Sequence, residues 1–311
     1  MSNNSLIEQQ GNQELEIEGK ILKLTNLGKV YWPEEGFTKG ELLNYYLHAS
    51  EFILPYLRDR PESLHRYPNG IKGKNFYQKN VDHQFPDWIK TADIYSEGGD
   101  KIITYMIIND LPSLLYAVNL GCIDLNPWSS RLGTLDNPDY LLVDLDPETI
   151  PFDYVISTAL AVQKILDDLK IVSYPKTSGA TGIHIYIPMQ AKYSYEQVRQ
   201  FAELLVGLVH QEVPEYTSLV RTVKERRGKV YLDWLQNSWG QTLAAPYCVR
   251  PKQGATVSTP LEWNEVQKGL SPGDFTIKNA MSRFKNKGDI FMGVLNSGVI
   301  IEEVLSKLKH V

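Results

Sequence analysis

From Leu15 to Leu24 apolar and polar residues alternate (LEIEGKILKL), which is the two-residue period of a strand. Beyond Thr38 the period lengthens. Leu42, Leu43, Tyr46, Leu47 and Phe52 recur at helical spacing, and Thr38 stands where an N-cap belongs. HRYPNGIKGKNFYQKN reads as two short strands around a Gly-containing turn. DLPSLLYAVNLG, residues 110–121, predicts a short helix opened by Asp110 and closed by Gly121. The apolar run YLLVDLDP predicts a strand ending at Pro147, and FDYVISTALAVQKILDDLK an amphipathic helix. A strand, a Gly-rich turn and a second strand follow in IVSYPKTSGATGIHIYIPM. In SYEQVRQFAELLVGLVHQEV, Ser194 and Gln197 occupy capping-box positions. KVYLDWLQ is again a strand, LAAPYCVRPKQGATVSTPL is extended and turn-rich, and the last 50 residues return to helical patterns ending in GVIIEEVLSKLKHV. Interleaved strands and helices without an internal repeat predict an α+β (mixed α/β) fold around one central sheet. Within it, residues 1–14 read as a mobile tail, 15–110 as a smaller N-terminal part packed on the rest, and 111–311 as the core.

Composition narrows the class. A chain of 311 residues with 42% hydrophobic residues, 18 Tyr and 6 Trp has the material for a real core. No run approaches the roughly 20 apolar residues that span a bilayer. The polar, acidic N-terminus does not resemble a signal peptide, so a cytoplasmic protein without membrane attachment is expected. Cys122 and Cys248 stand too far apart in sequence to suggest a disulfide framework or a cysteine-rich zinc site. The net charge of −5 argues against a protein that coats DNA. Basic residues are nevertheless grouped in two blocks, within 20–80 and within 221–252, which suits an enzyme that grips phosphate locally. A solvated basic face explains either block taken alone.

Three stretches carry candidate chemistry. Asp144 and Asp146 end an apolar strand, and alternation puts them on one face with Cβ atoms roughly 7 Å apart. Two carboxylates so placed repel unless a divalent cation sits between them, and an oxygen-only donor set suits Mg²⁺ or Mn²⁺ rather than zinc. On spacing alone, a turn before Pro147 is an equal reading. Asp124, Asp136 and Asp139 lie nearby in what reads as loop. In the turn from Lys176 to His184, Ser178, Lys176 and the backbone amides have the chemistry to meet phosphate oxygens, while His184 opens a strand. Asp233 interrupts the apolar strand VYLDWLQ, where a carboxylate needs a partner; a neighbouring cation or a metal shared with Asp144 and Asp146 both serve. Arg226 and Arg250 flank it.

Together these stretches resemble the polymerase domain of bacterial DNA ligase D, in the archaeo-eukaryotic primase superfamily. The likeness runs from about residue 18 to about 295, through LTNLGKVYWPEEGFTKGELLNYY, RYPNGIKGKNFYQKN, LVDLDP, PKTSGATGIHIYIP, YLDWLQN and APYCVRPKQGATVSTPLEW. It implies a primase-like catalytic core and addition of nucleotides, ribonucleotides preferred, to a 3′ end with two Mn²⁺ or Mg²⁺ ions. The reaction would belong to non-homologous end joining, on DNA with 5′-phosphorylated ends or gaps, in the cytoplasm at the nucleoid. A Ku-like end-binding protein and a DNA ligase are implied as partners by family alone. Asp144, Asp146 and Asp233 fall on the family's metal-ligand positions. Lys176, Ser178, His184, Arg226 and Arg250 fall on or beside its nucleotide-binding positions, and Asn26, Lys29 and Lys39 on those that hold a 5′-phosphate. Phe76 and Tyr77 fall where aromatic rings stack on a template base.

One position departs. Where the family carries a histidine before Pro-Trp, this chain has Asn126, followed by Pro127 and Trp128, near the expected primer end or metal. An amide oxygen retains the capacity to ligate Mg²⁺ or Mn²⁺. The main rival is a non-catalytic module that binds a 5′-phosphorylated DNA end, which needs Lys29 and Lys39 but not the three aspartates. A DxD glycosyltransferase is the second rival, and it leaves the pairing of Asp233 with the basic N-terminal block unexplained.

Overall fold

The computed structural model describes residues 7–81, 85–296 and 298–308. In chain order the elements are β1 (Gln13–Ile17), β2 (Lys20–Leu24), β3 (Val30–Trp32), β4 (Phe37–Thr38), α1 (Lys39–Leu57), β5 (Pro61–Arg66), β6 (Phe76–Gln78), β7 (Thr91–Ser96), β8 (Lys101–Ile107), α2 (Leu111–Asn119) and β9 (Cys122–Pro127). They continue with β10 (Tyr140–Pro147), α3 (Phe152–Asp168), β11 (Tyr174–Thr177), β12 (Ile183–Pro188), α4 (Tyr195–Glu212), β13 (Thr217–Ser218), β14 (Val230–Asp233), α5 (Ala280–Lys287) and α6 (Ile301–Leu308). The mixed α and β content is as the periodicities predict, but among the described residues the strands form two five-stranded sheets, with β1-β2 and β3-β4 as separate two-stranded pairs, rather than one central sheet.

Two compact units result. The first holds the described residues up to Trp128 together with Thr242–Ser258 and Phe275–Gly288; the second holds Ser129–Gln241, Thr259–Asp274 and the described residues from Asp289 onward. The division differs from 15–110 and 111–311, because α2 packs on α1 and β9 pairs along β5, and both pairings tie residues 111–128 to the N-terminal unit. Such pairings join positions about 60 residues apart and leave no trace in local composition.

The first unit shows why α1 starts where it does. Thr38 and Glu41 form a reciprocal capping box, and the buried face of α1 includes Leu42, Leu43, Tyr46 and Ile53. Its sheet runs β6-β5-β8-β7, with β9 on β5. The tail expectation for residues 1–14 fails where the chain is described. Ile7 is fully buried, its carbonyl accepts from Asn44 Nδ2 at 2.9 Å, and Gln13 begins a strand. A single apolar residue in a polar stretch is too weak a periodic signal to announce this docking. Residues 1–6 lie outside the described residues.

The second unit is built on the order β11-β12-β10-β14-β13, antiparallel except for β13 beside β14. Strand alternation divides it cleanly. Val143 of β10 faces Val162, Ile165, Leu166, Leu205, Val206 and Val209, so α3 and α4 cover that face. Asp144 and Asp146 therefore project from the opposite face. No helix among the described residues is long and apolar enough to cross a membrane.

Candidate functional site

A row of polar side chains crosses four strands of the second unit's sheet. Register places Lys176 of β11 opposite His184 of β12, His184 opposite Asp144 of β10, and Asp144 opposite Asp233 of β14. Residues directly opposite share a face with Cβ atoms roughly 5 Å apart. The sequence folds this way because each strand has apolar neighbours on either side of its polar residue: Val143 and Leu145, Ile183 and Ile185, and Leu232 before Asp233 are all buried.

The contacts along the row are specific. Lys176 Nζ lies 2.8 Å from His184 Nδ1, and His184 Nε2 lies 3.5 Å from Asp144 Oδ1. An ammonium can only donate, so Nδ1 is the acceptor and the ring proton belongs on Nε2, toward Asp144. Asp146, two residues on, accepts from Arg226 Nη1 at 2.9 Å, and the Arg226 guanidinium also lies 4.1 Å from the Tyr231 ring centre. Asp233 accepts from the Leu235 amide at 2.8 Å and stands 3.4 Å from the Tyr231 hydroxyl. Burial raises the Asp233 carboxyl above its ordinary value, against the lowering effect of those hydrogen bonds. The Tyr231 hydroxyl is pushed up to about 12, first by burial and then by the Asp233 charge.

Among the described residues no group of three or more His, Cys, Asp and Glu side chains is gathered to hold a metal ion as it stands. Asp146 is engaged by Arg226 and Asp233 by backbone and side-chain donors, which accounts for the open arrangement. In kind, the donors do fit a hard divalent cation. Two carboxylates directly opposite across β10 and β14 repel, and the buried one is held toward its protonated form, both of which a bound cation would reverse.

Ser178 does something the sequence reading missed. Its hydroxyl accepts from the Ala180 and Gly182 amides at 3.0 and 2.9 Å, so it shapes the Gly-rich turn from inside. Gly182 lets that turn lie against β10, where any side-chain carbon would collide with the Leu145 carbonyl, between the two aspartates. Asn237 was also unforeseen. Its amide donates to the Leu142 carbonyl at 2.7 Å and accepts from the Leu142 amide at 2.8 Å, extending the ladder of β10 where β14 has ended.

The remaining candidates lie in the first unit. The β3–β4 hairpin joins the two lysines: Lys39 N donates to Lys29 O at 2.9 Å. Gly36 at φ +76° closes the intervening turn. Lys29 Nζ donates to Pro68 O at 2.7 Å, and Lys39 Nζ to Thr25 O at 2.7 Å. Lys39 is brought down from 10.5 to about 8, chiefly by burial and then by Lys29 and Arg66. Asn26 takes the left-handed conformation (φ 54°) one residue beyond Thr25. A buried lysine with two cationic neighbours is a site that an anion would relieve.

Phe76 and Tyr77 do not form one platform. Adjacent on β6, they face opposite sides of the sheet, Phe76 with Arg66 and Tyr77 with His65. Both are exposed, at 46% and 58%. Asn126 is buried on β9 opposite Ser63, with Nδ2 3.2 Å from Asp124 O. Asp124, expected in a loop, is instead a strand residue, 1% exposed, between His65 Nδ1 at 2.9 Å and Arg250 Nε at 3.3 Å. The strand CIDLNP lacks a clear two-residue alternation because both of its faces are buried.

The LigD, primase-polymerase domain family matches residues 38–291. The bifunctional non-homologous end joining protein LigD of Bacillus subtilis is 31% identical over 291 residues, 93% of this chain and 46% of that protein. The multifunctional non-homologous end joining protein LigD of Mycolicibacterium smegmatis is 31% identical over 248 residues, 79% of this chain and 32% of that protein. The chain thus spans less than half the length of these relatives. The polymerase domain from Mycobacterium tuberculosis ligase D in complex with DNA superposes with a TM-score of 0.82 at 27% identity, covering 89% of this chain and 99% of that one. With the family profile spanning most of the sequence and the solved domain sharing its primase-like fold, the chain belongs to the LigD primase-polymerase domain family, an enzyme domain of the nucleotidyltransferase type.

Proposed function

We propose that the domain extends a 3′ end at DNA breaks or gaps by two-metal nucleotidyl transfer, ribonucleotides preferred, in non-homologous end joining. The observation that carries this reading is the row Lys176–His184–Asp144–Asp233 on the face of the sheet opposite α3 and α4. Asp144, Asp146 and Asp233 would hold Mn²⁺ or Mg²⁺. What such cations supply when bound is activation of the attacking hydroxyl and charge relief on the leaving pyrophosphate. In the transfer, a bond from the 3′ oxygen to the α-phosphorus forms as the bond to pyrophosphate breaks, and the hydroxyl proton passes to solvent.

The chain's own residues prepare that step. Lys176 holds the His184 ring, and His184 presents a proton toward Asp144 or toward a phosphate or ribose oxygen. Arg226 offers a planar cation suited to a triphosphate, and moving there would release Asp146. Arg250 serves the nucleotide, Ser178 holds the turn, and Asn126 stands toward the primer end in place of the family histidine. Asn26, Lys29 and Lys39 hold the 5′-phosphate, while Phe76 and Tyr77 stack on template bases. The DNA-bound neighbour supports a DNA partner; a Ku-like protein and a ligase are the further partners proposed.

Primer extension on 5′-phosphorylated gapped DNA, with Mn²⁺ or Mg²⁺ and with NTPs or dNTPs, tests this. Extension is expected with either metal, faster with NTPs; none with any combination would sink the enzyme reading. One observation favours the second reading, a non-catalytic 5′-phosphate end-binding module: Asp146 is engaged by Arg226. That reading expects phosphate-dependent DNA binding without extension.

A further inference from the structure

A second polar row crosses the first unit, and the chemistry described so far leaves its middle unused. Register places Tyr77 of β6 opposite His65 of β5, and His65 opposite Asp124 of β9. The His65 ring lies 4.0 Å from the Tyr77 ring at an interplanar angle of 14°, which is face-to-face stacking. Tyr67 closes on the same imidazole at 4.6 Å, tilted by 55°. His65 Nδ1 lies 2.9 Å from Asp124 Oδ1 without hydrogen-bond alignment, and Nε2 lies 3.1 Å from Asn75 Oδ1, an oxygen to which it can donate. His65 is thus held by the Asn75 contact, by the nearby Asp124 carboxylate and by a second ring, while Tyr77 above it is 58% exposed. The other oxygen of Asp124 meets Arg250 Nε at 3.3 Å.

We infer that His65 and Asp124 are positioning residues for template-base stacking, with Asp124 tying the Tyr77 platform to the nucleotide-binding arginine, Arg250; this rests on the polymerase reading above. An exposed tyrosine on a three-residue edge strand would otherwise sample several rotamers, and an ordered stack costs less to form when one ring face is already supported. His65 supplies that support, leaving the opposite ring face for a base. One Asp124 oxygen lies 2.9 Å from His65 Nδ1 and the other accepts from Arg250 Nε, so a single buried carboxylate touches both arms. The Tyr77 hydroxyl registers the same neighbours: burial raises it, Asp124 raises it further and Arg250 opposes.

The test uses gapped DNA with 2-aminopurine as the templating base, whose fluorescence is quenched on stacking. His65→Phe keeps a ring beneath Tyr77 but loses both nitrogen contacts, and Asp124→Asn keeps the size but loses the charge. Each is expected to reduce quenching and weaken DNA binding about tenfold, the scale of one stacked base. Neither should add to the loss already caused by Tyr77→Ala. Asp124→Asn should also raise KM for the nucleotide, whereas His65→Phe should leave it unchanged. Should Asp124→Asn fail to fold, His65→Phe alone decides. Full quenching in His65→Phe, or losses that multiply with Tyr77→Ala, would overturn the inference. Wild-type protein that extends primers without quenching the base would overturn it too and leave the polymerase reading intact; quenching without extension would do the reverse.

Discussion

The two units each carry a histidine opposite an aspartate in the middle of a sheet, and the two pairs are put to different uses. In the first unit, Asp124 is 1% exposed, with the His65 imidazole 2.9 Å from one oxygen and the Arg250 cation 3.3 Å from the other. In the second, Asp144 has His184 at 3.5 Å on one side and another carboxylate, Asp233, in the opposing register position on the other. A carboxylate whose charge is matched from within the protein is suited to holding its neighbours still. Two carboxylates in opposing register positions are suited to receiving positive charge from outside. Residue type alone separates them poorly; the cross-strand partner decides.

The comparison breaks most sharply at the two opposed carboxylates. Asp144→Ala should abolish extension, by roughly a thousandfold or more given the several kcal/mol that metal-assisted catalysis supplies. It should preserve binding to 5′-phosphorylated gapped DNA, as measured by fluorescence anisotropy; near-normal extension would refute the assignment. Next comes the turn behind the row. Gly182→Ala puts a methyl group into the Leu145 carbonyl, so a stability loss of about 1–3 kcal/mol is expected by thermal melting, with extension reduced.

At the lysine hairpin, Lys29→Ala should weaken only the phosphate-dependent part of DNA binding, about tenfold, seen by comparing 5′-phosphate and 5′-hydroxyl ends. The smallest effect is a pH dependence. Lys39 titrates near 8 rather than 10.5, so phosphate-dependent binding should fall a few-fold as pH rises through about 8. Stability moves the other way. Between pH 8 and 10.5 the unfolded chain binds more protons at this lysine than the folded one, so its contribution to stability grows as pH rises. Binding that stays level from pH 7 to 9 would remove Lys39 from the site.

Legibility in the sequence followed the range of the interaction. The α1 cap at Thr38, the capping box at Ser194 and the strand carrying Asp144 and Asp146 are local, and the local pattern announced each of them. The role of Asp233 needed the family likeness, because its partner lies on a strand some 90 residues earlier. His65 and Asn237 were not singled out at all: one acts across three strands, and the other substitutes a side-chain amide for a missing strand. Phe76 and Tyr77, adjacent on β6, sit on opposite sides of the sheet for a simpler reason. In a strand, adjacency in sequence means opposite faces in space.

The segment before β1 bears on how this protein should be handled at the bench. Ile7 docks against α1 through Asn44, Gly11 O receives the Leu27 amide at 2.8 Å, and Asn12 Oδ1 receives the Asn26 amide at 2.8 Å. Those bonds reach the residues on either side of the hairpin lysines. Cloning from residue 15, as a tidy domain boundary would invite, would therefore cut away the brace beside Lys29 and Lys39 while sparing the strands that carry Asp144, Asp146 and Asp233.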